Sequence, residues 1–136
     1  MDAHTIQTAF FRFGLLFAAG GLGAMSRYVF SAWLNSCAWC GKPWGILACN
    51  LFGCFLFGFL TVLLTRGFSV ETKLIVLTGF LGAFTTFSTF AFDTVDLIQQ
   101  SRYATACFNL LFHNVFGILM VVGGLMTGKW LMQFVQ

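Results

Sequence analysis

Asn50 is the residue whose chemistry most demands an explanation in this sequence. It stands alone in the apolar run Ile46-Leu-Ala-Cys-Asn-Leu-Phe-Gly-Cys-Phe-Leu56. An amide in hydrocarbon without a partner costs several kcal/mol, so Asn50 must bond to another helix or to a permeating anion. The run Thr78-Gly-Phe-Leu-Gly-Ala-Phe-Thr-Thr-Phe-Ser-Thr-Phe90 poses a second question. It holds Gly79 and Gly82, the hydroxyl residues Thr85, Thr86, Ser88 and Thr89, and phenylalanines recurring at Phe84, Phe87 and Phe90. Glycine and β-branched hydroxyl residues weaken a helix, and hydroxyls offer the backbone rival hydrogen bonds, so this segment is poised to break. Broken backbone at membrane depth survives only where protein buries it or where it lines a path for ions or water, and carbonyls freed there can hold a cation. The plainer alternative is a packing helix whose hydroxyls bond back to their own turns. Asp93, one turn beyond Phe90, favours a role in function, as acidic groups near membrane segments usually do. Arg27, near the end of Gly20-Gly-Leu-Gly-Ala-Met-Ser-Arg-Tyr28, is either an interface anchor or an electropositive vestibule residue.

Cys37-Ala-Trp-Cys40 is a C-x-x-C pair, the spacing of redox-active thiols. Cys49, Cys54 and Cys107 stand in apolar surroundings and read as small packing residues. A quinone-linked oxidoreductase would be expected to carry a second cysteine pair, and the sequence has none. No Ser-His-Asp arrangement, metal-ligand cluster or phosphate-binding loop is present either, so the chain is not expected to be an enzyme. The formal charge of +3 is scattered, without a Lys/Arg cluster, which argues against a nucleic-acid partner.

The elements that must position these residues are membrane helices. Of 136 residues, 59% are hydrophobic and only 8% are charged, and the mean hydropathy is +0.89. A soluble domain this small needs more charge to cover its surface, so lipid is the expected solvent. Four apolar stretches, at about Phe10–Leu34, Trp44–Thr65, Lys73–Ile98 and Ala104–Met132, can each supply the roughly 20 residues that cross a bilayer. Short connections leave no room for a second domain, so residues 1–136 are expected to form one four-helix transmembrane domain. The N-terminus opens with Asp2 and His4 rather than a basic region, and it is expected to be retained. Small residues at Gly20, Gly23 and Ala24, at Gly53 and Gly58, and at Gly124 and Gly128 predict close helix packing.

Alternating spans would place Arg12, Arg66, Lys73 and Lys129 on one side, and Lys42 and Arg102 on the other, with Arg27 near that second end. This is a weak bias under the positive-inside rule. Four helices are also too few to enclose a selective pore alone, which makes dual insertion and antiparallel pairing attractive.

The glycine-rich run ending in Arg27-Tyr28, the pattern around Asn50 with Gly53-Cys54, and Gly82-Ala-Phe-Thr-Thr-Phe-Ser-Thr-Phe90 followed by Asp93 together resemble the Fluc-type fluoride channel family over nearly the whole chain. The third of these is the most specific. The resemblance implies an all-α, dual-topology antiparallel homodimer of four-helix subunits in the cell's inner (plasma) membrane, with the third helix broken near its middle. It implies passive fluoride efflux through two antiparallel pores. Phe87 and Phe90 would face the ion, Asn50 would be a pore-lining amide donor, and Ser88 and Thr89 would add hydroxyls. The backbone carbonyls of Gly82 and Thr85 would hold a central structural sodium ion shared by both subunits. Asp93 stands where the family usually has glutamate. Ile118 stands where the fourth helix commonly carries a pore serine, four residues beyond Asn114. Asn114 remains a candidate anion contact, and His113 is expected to pack or to serve an interface.

Fluoride is small and tightly hydrated, so a pore must replace its water with several weak donors rather than one permanent charge. Asn50 offers two N–H donors and each hydroxyl offers one. The edges of Phe87 and Phe90 carry the positive part of the ring quadrupole. Three rival functions fit the sequence less well. A small dual-topology proton-coupled exporter would resemble proteins built on a glutamate in the first helix, and Phe10–Leu34 contains no acidic residue. A thiol oxidoreductase using Cys37 and Cys40 would, under dual insertion, have half its loops on the reducing side. A purely structural subunit leaves the Thr78–Phe90 run unexplained.

Overall fold

The computed structural model describes residues 3–36 and 43–134, with side chains from Ile6 onward. Cys37, Cys40 and Lys42 lie outside the described residues. Four helices long and apolar enough to cross a membrane follow one another: Ile6–Ser36 within the helix Ala3–Ser36, then Trp44–Leu63, Val70–Gln99 and Tyr103–Phe134. The expected stretches match these in order. The first helix begins seven residues before Phe10 because Thr5, Gln7 and Thr8 are compatible with helix although they are not apolar. The third begins at Val70 because the Ser69 side chain accepts a hydrogen bond from the Thr72 amide and caps the helix start.

No strand occurs among the described residues, and the chain is an all-α, multi-pass membrane protein. Most large apolar side chains point outward, including Phe10, Phe13 and Phe17 of the first helix and Ile118 and Leu119 of the fourth. Such a surface needs hydrocarbon around it. The interior is small, built on Leu47, Cys49, Leu81, Phe84, Phe90 and Leu97.

The second and fourth helices run parallel in their closest approach. A Cβ added at Gly58 would lie 2.2 Å from the Val121 carbonyl oxygen, and one at Gly124 would lie 2.1 Å from that of Phe55. No side chain fits in either place, so glycine is what lets these backbones touch. The first helix packs along the N-terminal half of the third span, while the C-terminal half of that span lies against the start of the fourth helix. Arg12 of the first helix forms an ion pair with Glu71 at the start of the third span, and Arg66 and Lys129 line one cavity, so these charges share one end of the bundle.

The third span is broken near its middle. Helical backbone ends at Phe84. Thr85 (φ −92°, ψ 150°) and Thr86 (φ −147°, ψ 113°) are extended, and helix resumes over Phe87–Gln99. Two stretches carry wider turns than an α-helix: Leu74–Leu81 before the break, and Phe112–Phe116 in the fourth helix. Such wide turns are frequent at functional sites. The last connection is tight. Ser101 takes a left-handed φ of 59°, with its amide on the Ile98 carbonyl at 2.9 Å and that of Arg102 on the Leu97 carbonyl at 2.9 Å.

Candidate functional site

The break is held open by Asn50. Its side-chain carbonyl accepts from the Thr86 amide at 2.8 Å, and its side-chain NH2 donates to the Thr86 carbonyl at 3.1 Å. Because a backbone N–H can only donate and a backbone C=O can only accept, these two bonds fix which end of the amide is oxygen. The question left open by the sequence, whether Asn50 meets another helix or an ion, is answered in part: one face of the amide meets the backbone of Thr86. Its NH2 keeps a second hydrogen for another acceptor.

Gly53, one turn along, lets the break approach. A Cβ there would fall 2.3 Å from Thr85 Cγ2. Thr86 then starts the new helix, its Oγ1 accepting from the Thr89 amide at 3.3 Å. That diversion has a consequence for the carbonyls. In an unbroken helix the Thr86 amide would bond to the Gly82 carbonyl and the Thr89 amide to the Thr85 carbonyl. Here those donors go to Asn50 Oδ1 and Thr86 Oγ1 instead. Gly82 and Thr85 thus present two neutral carbonyl oxygens at a helix break, the donor set with which unwound membrane helices hold monovalent cations.

A cavity of about 210 Å³ opens beside the break, lined by Asn50, Cys54, Thr85, Thr86, Phe87, Phe90, His113 and Asn114. Among the described residues, no carboxylate, lysine or arginine borders it. Phe87 and Phe90 stand edge to face, with ring centroids 5.3 Å apart. They differ in setting: Phe90 is 5% exposed and Phe87 is 75% exposed. The His113 ring lies 4.3 Å from that of Phe90. Its Nδ1 is 3.0 Å from the Asn109 carbonyl, which can only accept, so Nδ1 carries the proton in the neutral ring. Asn114 gives one N–H to the Leu110 carbonyl at 2.7 Å and retains the other. The Thr85 hydroxyl hydrogen is already committed to the Leu81 carbonyl at 3.1 Å.

The sequence-derived candidates therefore divide. Asn50, Phe87, Phe90 and Asn114 come together on one cavity. Ser88 and Thr89 stand off its wall and bond to the Thr86 hydroxyl, each at 3.1 Å. Asp93 is buried one turn beyond Phe90. Arg27 is in the first helix, where its carbonyl is 3.8 Å from the Cys49 thiol. Ile118 is exposed. Cys54, Thr86 and His113 line the cavity without having been singled out as contacts. For Thr86 a signal existed, since threonine immediately before a helical run is a preferred cap. For His113 there was none, because the wide turn that carries it leaves no mark in the sequence.

The model of the CrcB-like family, described as camphor resistance protein CrcB, matches residues 14–125. The chain belongs to this family. Relatives match the chain over most of their length. A protein of Parabacteroides distasonis is 37% identical over 116 residues, covering 85% of this chain and 91% of the relative. One of Magnetococcus marinus is 41% identical over 114 residues, covering 81% and 91%. One of Dehalococcoides mccartyi is 42% identical over 125 residues, covering 88% and 94%. All three relatives are named fluoride-specific ion channel FluC, a transport protein and not an enzyme. The CrcB match spans the glycine-rich run, Asn50 and the broken helix together, the three stretches on which the resemblance was read.

Proposed function

We propose that this chain conducts fluoride passively across the plasma membrane as an antiparallel homodimer with two pores. The observation that carries the reading is the uncharged cavity at the helix break, where the Asn50 amide is fixed by Thr86 with one N–H to spare beside the edge-to-face pair Phe87 and Phe90. The names of the relatives point the same way.

Fluoride entering this space exchanges water for the second N–H of Asn50, the second N–H of Asn114 and ring edges. None of these is a permanent charge, so the ion is held weakly enough to leave. Rigidity matters as much as chemistry. An amide clamped at both its ends cannot swing away to solvate a larger halide. The tilted His113 ring lies against that of Phe90 and limits its movement. The carbonyls of Gly82 and Thr85, with their counterparts in a second copy, hold a sodium ion whose charge makes the nearby pore more attractive to anions.

Fluoride efflux from liposomes, followed with an ion-selective electrode, tests the assignment of these residues. Phe87→Ile, Phe90→Ile and Asn50→Asp each remove one contact. At least one phenylalanine variant should slow efflux by about tenfold or more, the loss of roughly 1.4 kcal/mol at the barrier. Asn50→Asp, which places a carboxylate on the path, should abolish it. Parental rates in all three variants would overturn the site.

A further inference from the structure

Asn109, in the first part of the fourth span, is the most deeply enclosed polar residue described, with 1% of its surface exposed. It is not one of the residues that line the cavity at the break. Its side-chain NH2 donates to the Thr94 hydroxyl oxygen at 2.8 Å, and that hydroxyl donates to the Phe90 carbonyl at 2.8 Å. The direction of both bonds is fixed. A backbone carbonyl only accepts, so the single hydroxyl hydrogen of Thr94 goes to Phe90 and its oxygen is left to accept from the amide. The backbone carbonyl of Asn109 meanwhile accepts from His113 Nδ1 at 3.0 Å, and the His113 ring lies 4.3 Å from that of Phe90. One residue thus reaches Phe90 twice, through Thr94 to its backbone and through His113 to its ring. We propose that Asn109 is a positioning residue for Phe90, holding that ring at the pore wall without touching the ion.

Phe90 needs such a hold because of where it stands. It lies in the first turn of the helix that resumes over Phe87–Gln99, after two extended residues. The first amides of a helix have no partner inside it, so this end is the least secured by its own backbone. A ring edge attracts an anion only when it is turned toward it, so loss of orientation removes the contact even where the ring remains. Hydrogen bonds are directional in a way that apolar contact is not, and two routes from one residue restrain both the turn and the ring.

The arrangement also carries a cost that packing does not explain. Asn109 Oδ1 and His113 Nε2 are buried with no hydrogen-bond partner among the described residues. An apolar side chain would fill the place of Asn109 without leaving an acceptor unmatched. What the amide adds over such a side chain is the tie to Thr94. A local rule broken in this way is expected where a site must be held.

The inference rests on fluoride conduction as proposed above, and the two fail differently in one experiment. Fluoride efflux from liposomes is measured for the parent, Asn109→Leu, Thr94→Val and Thr94→Ser, each checked for parental size by gel filtration. A parent that releases no fluoride contradicts conduction itself, whereas a conducting parent with unaffected variants contradicts only the role of Asn109. Asn109→Leu and Thr94→Val should each slow efflux by about fivefold or more, the scale of coupling within one hydrogen-bonded network. Thr94→Ser keeps the hydroxyl and should stay within about twofold of the parent. Because Asn109 acts through Phe90, adding Asn109→Leu to Phe90→Leu should slow efflux by less than a further twofold or so, while added to Phe87→Leu it should keep its full effect. If Asn109→Leu does not fold, or Phe90→Leu leaves no measurable efflux, the two Thr94 variants decide. Parental efflux in Thr94→Val, equal losses in Thr94→Ser and Thr94→Val, or the full effect of Asn109→Leu persisting with Phe90→Leu would overturn the proposal. Failure of Thr94→Val to fold would make the network structural and overturn it as well.

Discussion

At the scale of single residues, one amide has two jobs. Asn50 substitutes for a missing turn of helix by taking both polar groups of Thr86 and offers what remains of its NH2 to the cavity. The first role can be tested by its effect on stability. Aspartate at position 50 can still accept from the Thr86 amide, but it sets an oxygen against the Thr86 carbonyl where a donor stood. Asn50→Asp should therefore lower stability by about 2 kcal/mol, through an unsatisfied and charged half-buried group. Thermal unfolding in detergent reads this directly, and a melting temperature equal to the parent would show that the clamp carries no weight. That Asn50 needed a partner was legible from its isolation among apolar neighbours. That the partner is backbone 36 residues away was not, because it depends on how two helices meet.

Among the elements, the break in the third span was readable and the wide turns were not. Glycines and clustered Thr and Ser announce weak helix in the run from Thr78 to Phe90. Leu74–Leu81 shares Thr78 and Gly79 with that run, whereas Phe112–Phe116 has no glycine or hydroxyl residue, so composition gives the two wide turns no common signal. Glycine spacing predicted close packing without naming the pairs. In the structure Gly58 and Gly124 bring the second and fourth helices into backbone contact, with no room for a Cβ at either. Gly124→Val should push these helices apart, at a cost of about 2 kcal/mol or more given what overpacking does in other interiors. Loss of folded protein on gel filtration, or a clearly lowered melting temperature, is the expected outcome. Tolerance of valine would mean that the close approach is not required.

For the whole molecule, two features invite a second copy. The cavity at the break is open on the side where Phe87 is exposed, and the freed carbonyls of Gly82 and Thr85 supply fewer oxygens than a cation needs. An antiparallel partner, as the near balance of charge between the two ends allows, would complete both. If sodium bridges the pair, exchange into sodium-free N-methylglucamine buffer should lower fluoride efflux, and sodium chloride should restore it while potassium chloride does not. Unchanged efflux after thorough exchange would remove the ion from the mechanism. In the proposed mechanism, uncharged donors at a helix break replace the water shell of fluoride and of no larger halide. Parallel efflux of fluoride and chloride from liposomes loaded with each, containing the purified parental protein, measures this directly. Rapid release of fluoride with chloride retained is the predicted result, and equal loss of both, or retention of both, would contradict it.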